Sequence, residues 1–359
     1  MAFSRTQYLV AIIACVLIFI ILPRSSRQFG VLRAVVPNSS PNWKTEGIYF
    51  QSIKQSRDPY LPRLATELSV EFPYHPEKRF PLNIWQTWKV PLDDPTFPQS
   101  YAENQETWNT VNPTYRHYLL SDSQCEMIVK QLYQNVPDVV EAWNGMPKSI
   151  LKADFFRYLI LYARGGVYSD IDTRALKPVA QWFSSREYIY NKLNTAGLVV
   201  GIEADPDRPD WNEWYARRIQ FCQWTIQAKK GHPMLRDLIV KITELTLDRK
   251  HAGKLNSVVG KDSDGDVMDW TGPGIFTDVI LDYMNGPFAE SHEKKPMPPI
   301  NWSVFTGLSA PLLIDDVLVL PITSFSPAVG QMGAGDLTDE WAYIHHLFSG
   351  SWKEVKKIT

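Results

Sequence analysis

Residues 147 to 173, PKSILKADFFRYLILYARGGVYSDIDT, set a helical pattern, a glycine pair, a short apolar strand and two aspartates in direct succession. Ser149 is placed to cap the amino end of the predicted helix. Gly165 and Gly166 end it, because glycine accepts the left-handed backbone required there. Leu151, Phe155, Tyr158, Leu159 and Tyr162 fall on one apolar stripe, and Asp154 and Arg157, three residues apart, share the neighbouring face. On an isolated helix such an ion pair is worth only about 0.2–0.5 kcal/mol. The aromatic bulk around it makes this an odd place for a solvated pair. Gly166 to Asp170 then reads as a strand, in which side chains two apart point the same way, so Asp170 and Asp172 present their carboxylates together. Adjacent anions repel unless a cation or donor groups lie between them. A hard divalent ion such as Mn2+ or Mg2+ takes oxygen ligands and keeps positions open for substrate phosphates. There it neutralises charge developing on a diphosphate leaving group. A bare D-x-D also arises by chance, so an acidic surface turn remains the alternative.

A second acidic stretch, Asp262-Ser263-Asp264-Gly265-Asp266, imitates a calcium loop. Its glycine stands fourth rather than sixth, and Pro273 occupies the position where a twelfth-place glutamate belongs, so it reads as a plain acidic loop. Elsewhere helical patterns at Tyr101 to Thr110 and Asp122 to Tyr133 alternate with strand-like runs at Leu82 to Trp88 and Arg116 to Leu120. That alternation predicts an α/β body on a mostly parallel sheet. A chain of 359 residues that is 44% hydrophobic can bury a large core. Its net charge of -2, with both signs dispersed, argues against a nucleic-acid partner. The 13 tryptophans and 16 tyrosines suit sugar stacking as well as packing.

Near the start, residues 8–22, YLVAIIACVLIFIIL, form an uninterrupted apolar run between Arg5 and Pro23-Arg24-Ser25-Ser26-Arg27. With no small-x-small cleavage signal after it, the run reads as a retained transmembrane signal anchor. The organisation expected is a cytosolic tail at 1–7, the anchor at 8–22, a Pro-, Ser- and Arg-rich stem at 23–80 with one short helix near Leu61 to Val70, and a catalytic domain at 81–359. Cys15 lies in the anchor. Cys125 and Cys222 either pair once in an oxidising lumen or stay separate thiols. Asn38-Ser39-Ser40 and Asn301-Trp302-Ser303 match the glycan acceptor pattern.

The string LKADFFRYLILYARGGVYSDIDT, residues 151 to 173, resembles the signature of glycosyltransferase family 32, the DXD sugar-binding retaining transferases. Its companions are Ile84-Trp85-Gln86-Thr87-Trp88, Thr271-Gly272-Pro273-Gly274 and the tail HHLFSGSWK from His345 to Lys353. Together these blocks resemble the fungal initiation-specific α-1,6-mannosyltransferase group over roughly residues 80 to 355. The resemblance implies a Rossmann-like GT-A fold, a single-pass type II Golgi membrane protein with a lumenal body, GDP-mannose as donor, an oligomannose glycan as acceptor, and membership of a mannan-building complex. It implies Mn2+, with Mg2+ as the alternative, held by Asp170, Asp172 and His346. His345, beside it, reads as a core or surface ring. By the same resemblance Asp154, Arg157 and Asp170 contact the donor, Trp85 lies near its base, and Ser351 and Trp352 close over the leaving diphosphate. Asp154, Arg157, Asp170 and Asp172 form the catalytic set.

An α-linked donor and an α-linked product mean retention, which in glycosidases runs through a carboxylate nucleophile. Asp154, Glu203, Asp205 and Asp278 are conceivable, and none is marked. Front-face substitution, with the leaving phosphate taking the acceptor's proton, is therefore the expected route. Two other readings are a mannosyltransferase acting on inositol phosphoceramide and a non-catalytic glycan-binding subunit.

Overall fold

The computed structural model describes residues 61–257, 263–289 and 299–350, together with the backbone of two short strands at 33–34 and 49–51. In chain order the first elements are β1 (Arg33–Ala34), β2 (Tyr49–Gln51), α1 (Arg63–Glu71), β3 (Asn83–Trp88), α2 (Gln99–Val111), β4 (Arg116–Ser121), α3 (Asp122–Leu132) and α4 (Pro137–Gly145). The central stretch holds α5 (Ser149–Arg164), β5 (Gly166–Ser169), β6 (Thr173–Ala175), β7 (Tyr188–Ile189), β8 (Lys192–Leu193), β9 (Leu198–Ala204), β10 (Gln220–Phe221) and β11 (Thr225–Ala228). There follow α6 (Pro233–His251), α7 (Ser263–Trp270), α8 (Pro273–Ala289), α9 (Trp302–Phe305), β12 (Leu312–Ile314), β13 (Val317–Leu320) and β14 (Ile344–His346). The apolar run at 8–22, Asn38 and most of the expected stem lie outside the described residues. Among the described residues no helix is long and apolar enough to cross a membrane.

Helix α5 organises the molecule. Leu151 and every residue from Asp154 to Ala163 are buried, so the expected stripe widens into a helix enclosed on all sides by α3, α6, α7 and the sheet. Ser149 does not cap it: Ser149 is the first helical residue, and Lys148 before it makes no side-chain capping bond. Gly165, at φ 65°, does end it, and its N–H donates to the Leu161 carbonyl at 2.8 Å. A Cβ on Gly165 would sit 2.8 Å from the Lys230 nitrogen, and one on Gly166, at φ 106°, 2.4 Å from the Asn83 carbonyl oxygen. The glycine pair therefore satisfies both the left-handed turn and the close approach of the helix end to neighbouring backbone.

The sheet runs β1-β2-β12-β13-β9-β11-β5-β3-β4, with β10 paired onto β9. It is mixed rather than mostly parallel. Parallel pairing joins β4 to β3, β3 to β5, β9 to β13 and β12 to β2, while β11 runs antiparallel to both β5 and β9 and β12 antiparallel to β13. The reason is connectivity: β9 reaches β11 through a loop and β12 reaches β13 through the two-residue turn Asp315-Asp316, and only parallel neighbours require a long crossover. Both faces are covered. Leu198, Val200 and Ile202 of β9 enter the large helical core while Val199 enters a second core with Trp108, Trp182, Phe325 and Tyr343. Such strands read as continuous apolar runs.

Leu64 and Leu68 of α1 belong to the larger core, so the packed body takes in the short helix foreseen within the stem. The stretch foreseen as an acidic loop is helical from Ser263, and Asp266 pairs with Arg249, with Nη1 donating to Oδ2 at 2.9 Å. Cys125 and Cys222 are both buried free thiols.

Candidate active site

The two aspartates lie in a turn between β5 and β6, not in the strand itself. The Asp170 N–H donates to the Trp224 carbonyl at 2.8 Å, and Thr173 returns to the Asp170 carbonyl through its N–H at 3.2 Å and its hydroxyl at 2.6 Å. Ser169, Thr173 and Thr225 close a buried hydroxyl cluster beneath the turn. It is this tight reversal, rather than alternation along a strand, that brings the carboxylates together. Strand β14 pairs antiparallel with β6, setting His346 opposite Thr173, and the Leu347 N–H donates to the Asp172 carbonyl at 2.9 Å. The tail thereby delivers His346 across more than 170 positions of sequence to the turn.

Asp170, Asp172 and His346 each offer a ligand atom, all within 4.8 Å of one another. His346 Nε2 stands 3.3 Å from Asp172 Oδ1. Neighbouring ligands on an octahedral ion with bonds of about 2.1 Å are about 3 Å apart, so the spacing fits one divalent cation. The other Asp172 oxygen is held by Ser349, whose N–H donates at 3.0 Å and whose hydroxyl donates at 2.7 Å, and Tyr101 donates to that hydroxyl at 2.9 Å. The His346 ring is stacked on Trp224 at 4.4 Å and met edge-on by Phe348 at 4.1 Å. Phe348 holds φ 48°, a left-handed backbone that costs a bulky residue about 1–3 kcal/mol and recurs where a segment clamps a site.

Electrostatics separates the two carboxyls. Burial pushes Asp170 up, Arg157 offsets part of that, and the Asp172 charge adds to it. Burial acts on Asp172 as well, but the His346 and Ser349 contacts outweigh it and bring its pKa down to about 2. A pair of acids so placed favours a cation between them.

Beneath the turn lies Arg157. Its Nη2 stands 2.8 Å from Asp154 Oδ1 and 3.5 Å from Asp170 Oδ1, its Nη1 donates to the Gln223 carbonyl at 3.1 Å, and its guanidinium covers the Tyr168 ring at 5.2 Å. Asp154 is only 1% exposed. Its second oxygen accepts from the Thr271 hydroxyl at 3.1 Å, and the Gln223 amide approaches its first at 3.4 Å. Burial lifts the Asp154 carboxyl to about 6, against the pull of Arg157. The pair foreseen as an edge of the helix is a desolvated cluster in which Asp154 orients Arg157 toward Asp170.

The remaining sequence candidates are placed as follows. Trp85 is buried on β3, stacked on Tyr118 at 4.3 Å, and its Nε1 donates to the Gly165 carbonyl at 2.9 Å. Ser351 and Trp352 lie outside the described residues. His345 pairs along the backbone with Arg174, away from the cluster that His346 joins. Of the conceivable nucleophiles, Asp205 is engaged by Arg218 at 3.0 Å and by the Gly307 N–H, and Asp278 is engaged by Arg217 through both oxygens. Glu203 keeps Oε2 buried without a hydrogen-bond partner, and burial lifts its carboxyl to about 7. Sequence reasoning missed Gln223, Trp224 and Tyr101. It marked the segments of Thr271 and Ser349 without giving either residue a role.

Residues 98–189 match the family model described as "Glycosyltransferase sugar-binding region containing DXD motif". A protein of Candida albicans named "Initiation-specific alpha-1,6-mannosyltransferase" is 59% identical, over 87% of this chain and 82% of its own length. Its namesake in Saccharomyces cerevisiae is 39% identical, over 82% of each chain.

Proposed function

Since the chain belongs to the DXD-containing glycosyltransferase family that includes these initiation-specific enzymes, we propose that it transfers mannose from GDP-mannose, with retention, to a mannose-containing glycan in α-1,6 linkage. The observation that carries the reading is the convergence of Asp170, Asp172 and His346 under a tail segment that Ser349 locks onto Asp172. Asp170, Asp172 and His346 would hold a divalent ion. The imidazole favours Mn2+ over Mg2+, which prefers oxygen donors. When bound, the ion supplies positive charge to the diphosphate as it departs.

Arg157 adds a fixed positive charge from within the protein, where low dielectric strengthens it. Asp154, Thr271 and Gln223 keep that guanidinium in place. The bond from the anomeric carbon to the phosphate oxygen breaks, the bond from the same carbon to the acceptor oxygen forms, and the acceptor's proton passes to the departing phosphate oxygen. Front-face substitution is supported by the engagement of Asp154, Asp205 and Asp278 in ion pairs, which of these four candidates leaves Glu203 with an oxygen that has no hydrogen-bond partner. The tail from Leu347 to Gly350 lies against the turn, where it would exclude water that hydrolyses the donor.

The test is to incubate the full chain with GDP-mannose and an oligomannose N-glycan, α-1,6-mannobiose or inositol phosphoceramide, and to read product mass and linkage. Formation of an α-1,6-mannosyl glycan, abolished by excess chelator and restored by Mn2+, is expected. Equal turnover in excess chelator would remove the metal from the reading, and transfer to the ceramide alone would move the acceptor to a lipid. The apolar run at 8–22 supports a single-pass Golgi anchor with a lumenal body, which protease protection in sealed vesicles checks.

A further inference from the structure

Beyond the end of β9, residues 205–219 form a loop before the chain returns as β10, and this loop carries side chains that the transfer site does not use. Trp214 is 63% exposed, and Trp302, on α9, is 45% exposed. Each ring has a guanidinium over it, Arg208 at 5.4 Å from the Trp214 centroid and Arg218 at 4.9 Å from that of Trp302. A cation over one face steadies a ring whose remaining surface is in water. Arg218 is fixed by Asp205, and the other oxygen of Asp205 accepts from the Gly307 N–H at 2.6 Å, which ties the loop to the turn after α9. Arg208 is forked on Asp210, with Nε and Nη2 each at 2.5 Å.

The chain leads from this loop back to the transfer site through β10. The Ala216 N–H donates to Gln220 at 3.1 Å, the Cys222 N–H donates to the Gly201 carbonyl at 2.8 Å, and the next residue, Gln223, gives its carbonyl to Arg157. Resting on the mannosyl-transfer reading and deepening it, we propose that Trp302 and Trp214, with Arg218, form an acceptor platform for the outer sugar rings of an oligomannose chain. A pyranose lays its C–H face on an aromatic ring and turns its hydroxyls to flanking polar groups. From 205 to 218, Asp205, Asp207, Asp210 and Glu213 interleave with Arg208, Arg217 and Arg218. That mixture offers donors and acceptors to a neutral polyol, and it lacks the positive excess that a phosphate chain or an anionic lipid surface would need.

The test compares the full chain with Trp302→Ala, Trp214→Ala and Trp302→Phe in acceptor kinetics. Each alanine variant should raise KM for a branched oligomannose glycan about tenfold, the size of one aromatic contact. KM for α-1,6-mannobiose and acceptor-free GDP-mannose hydrolysis should stay unchanged, and Trp302→Phe should recover most of the loss. Equal shifts for both acceptors, or none, overturn the platform. A parallel titration of tryptophan fluorescence with the oligomannose glycan, without donor, separates the two readings. A saturable change lost in Trp302→Ala upholds the platform even where no mannose is transferred, in which case the transfer reading alone fails. No saturable change in the wild-type chain, together with unaltered KM values, sinks the platform.

Discussion

Around the aspartate turn the functional groups are enclosed, with Arg157 at 4% exposure and Asp172 and His346 at 9%, whereas the loop after β9 holds its tryptophans in water. In the first region the charged groups have second partners that fix them: Ser349 for Asp172, Thr271 for Asp154, the Gln223 carbonyl for Arg157. In the second, Arg208 and Asp210 pair at the surface, where such a contact is worth about 0–1 kcal/mol, while Arg218 and Asp205 pair half-buried. Enclosed, preorganised charge suits the reacting diphosphate, since it acts without reorganising at the moment of reaction. Exposed rings suit a long, variable glycan, whose affinity is a sum of small contributions.

The largest effect should come from the enclosed side. Asp172→Ala removes one of the three converging ligands, so turnover should fall by about three orders of magnitude while the unfolding midpoint moves little, read by product formation and circular dichroism. If Trp302→Ala lowered kcat as far, the division between an enclosed chemical side and an open binding side would be lost. Next comes a matched pair of carboxylates. Asp154→Ala leaves Arg157 buried beside a single remaining carboxylate and should cost about 3–5 kcal/mol in denaturant unfolding. Asp205→Ala, at the less deeply buried Arg218, should cost about 1–2 kcal/mol. Equal losses would mean that burial does not separate the two ion pairs.

A third variant probes the layer behind the ligands. Ser349→Ala deletes the hydroxyl that donates to Asp172 and accepts from Tyr101, while the Ser349 N–H stays. The Mn2+ concentration for half-maximal rate should rise about tenfold, as for other groups that orient a metal ligand. An unchanged Mn2+ requirement would show that the tail covers Asp172 without tuning it.

How much of this was legible in the sequence depends on how local each signal is. Helix α5 and its closing glycines could be read directly, because spacing and left-handed backbone act within a few residues. The sheet direction could not, since whether β9 returns by a loop or a crossover is decided by tertiary packing. The juxtaposition of Asp170 and Asp172 was expected for a different reason, alternation along a strand, where a turn clamped by Thr173 achieves it. His346 was reached only through family resemblance, because nothing in HHLFSG itself points to an aspartate so far upstream. Gln223 and Trp224 were invisible because their carbonyls, on Arg157 and on the Asp170 N–H, carry no residue identity, and their side chains meet Asp154 and His346 only through the tertiary fold.

The smallest expected effect lies at Glu203, where the two regions meet. Its strand leads into the exposed loop, yet its Oε2 is buried without a partner, and burial holds its carboxyl near the point of half-ionisation at neutral pH, at about 7. A covalent route through this carboxylate requires its ionised oxygen to bond to the anomeric carbon, and a glutamine at that position would lower turnover by about three orders of magnitude or more. Front-face substitution makes no such demand, so Glu203→Gln should keep turnover within about fivefold and flatten any limb of the pH profile near 7. The sign follows from the raised carboxyl: above pH 7 the wild-type side chain gains a charge that the amide never carries. Mass spectrometry of the wild-type protein quenched during turnover completes the comparison. A mannosylated peptide containing residue 203, together with inactivity of the glutamine variant, would replace front-face substitution by double displacement and move Glu203 from the margin of the enclosed region to its chemical centre.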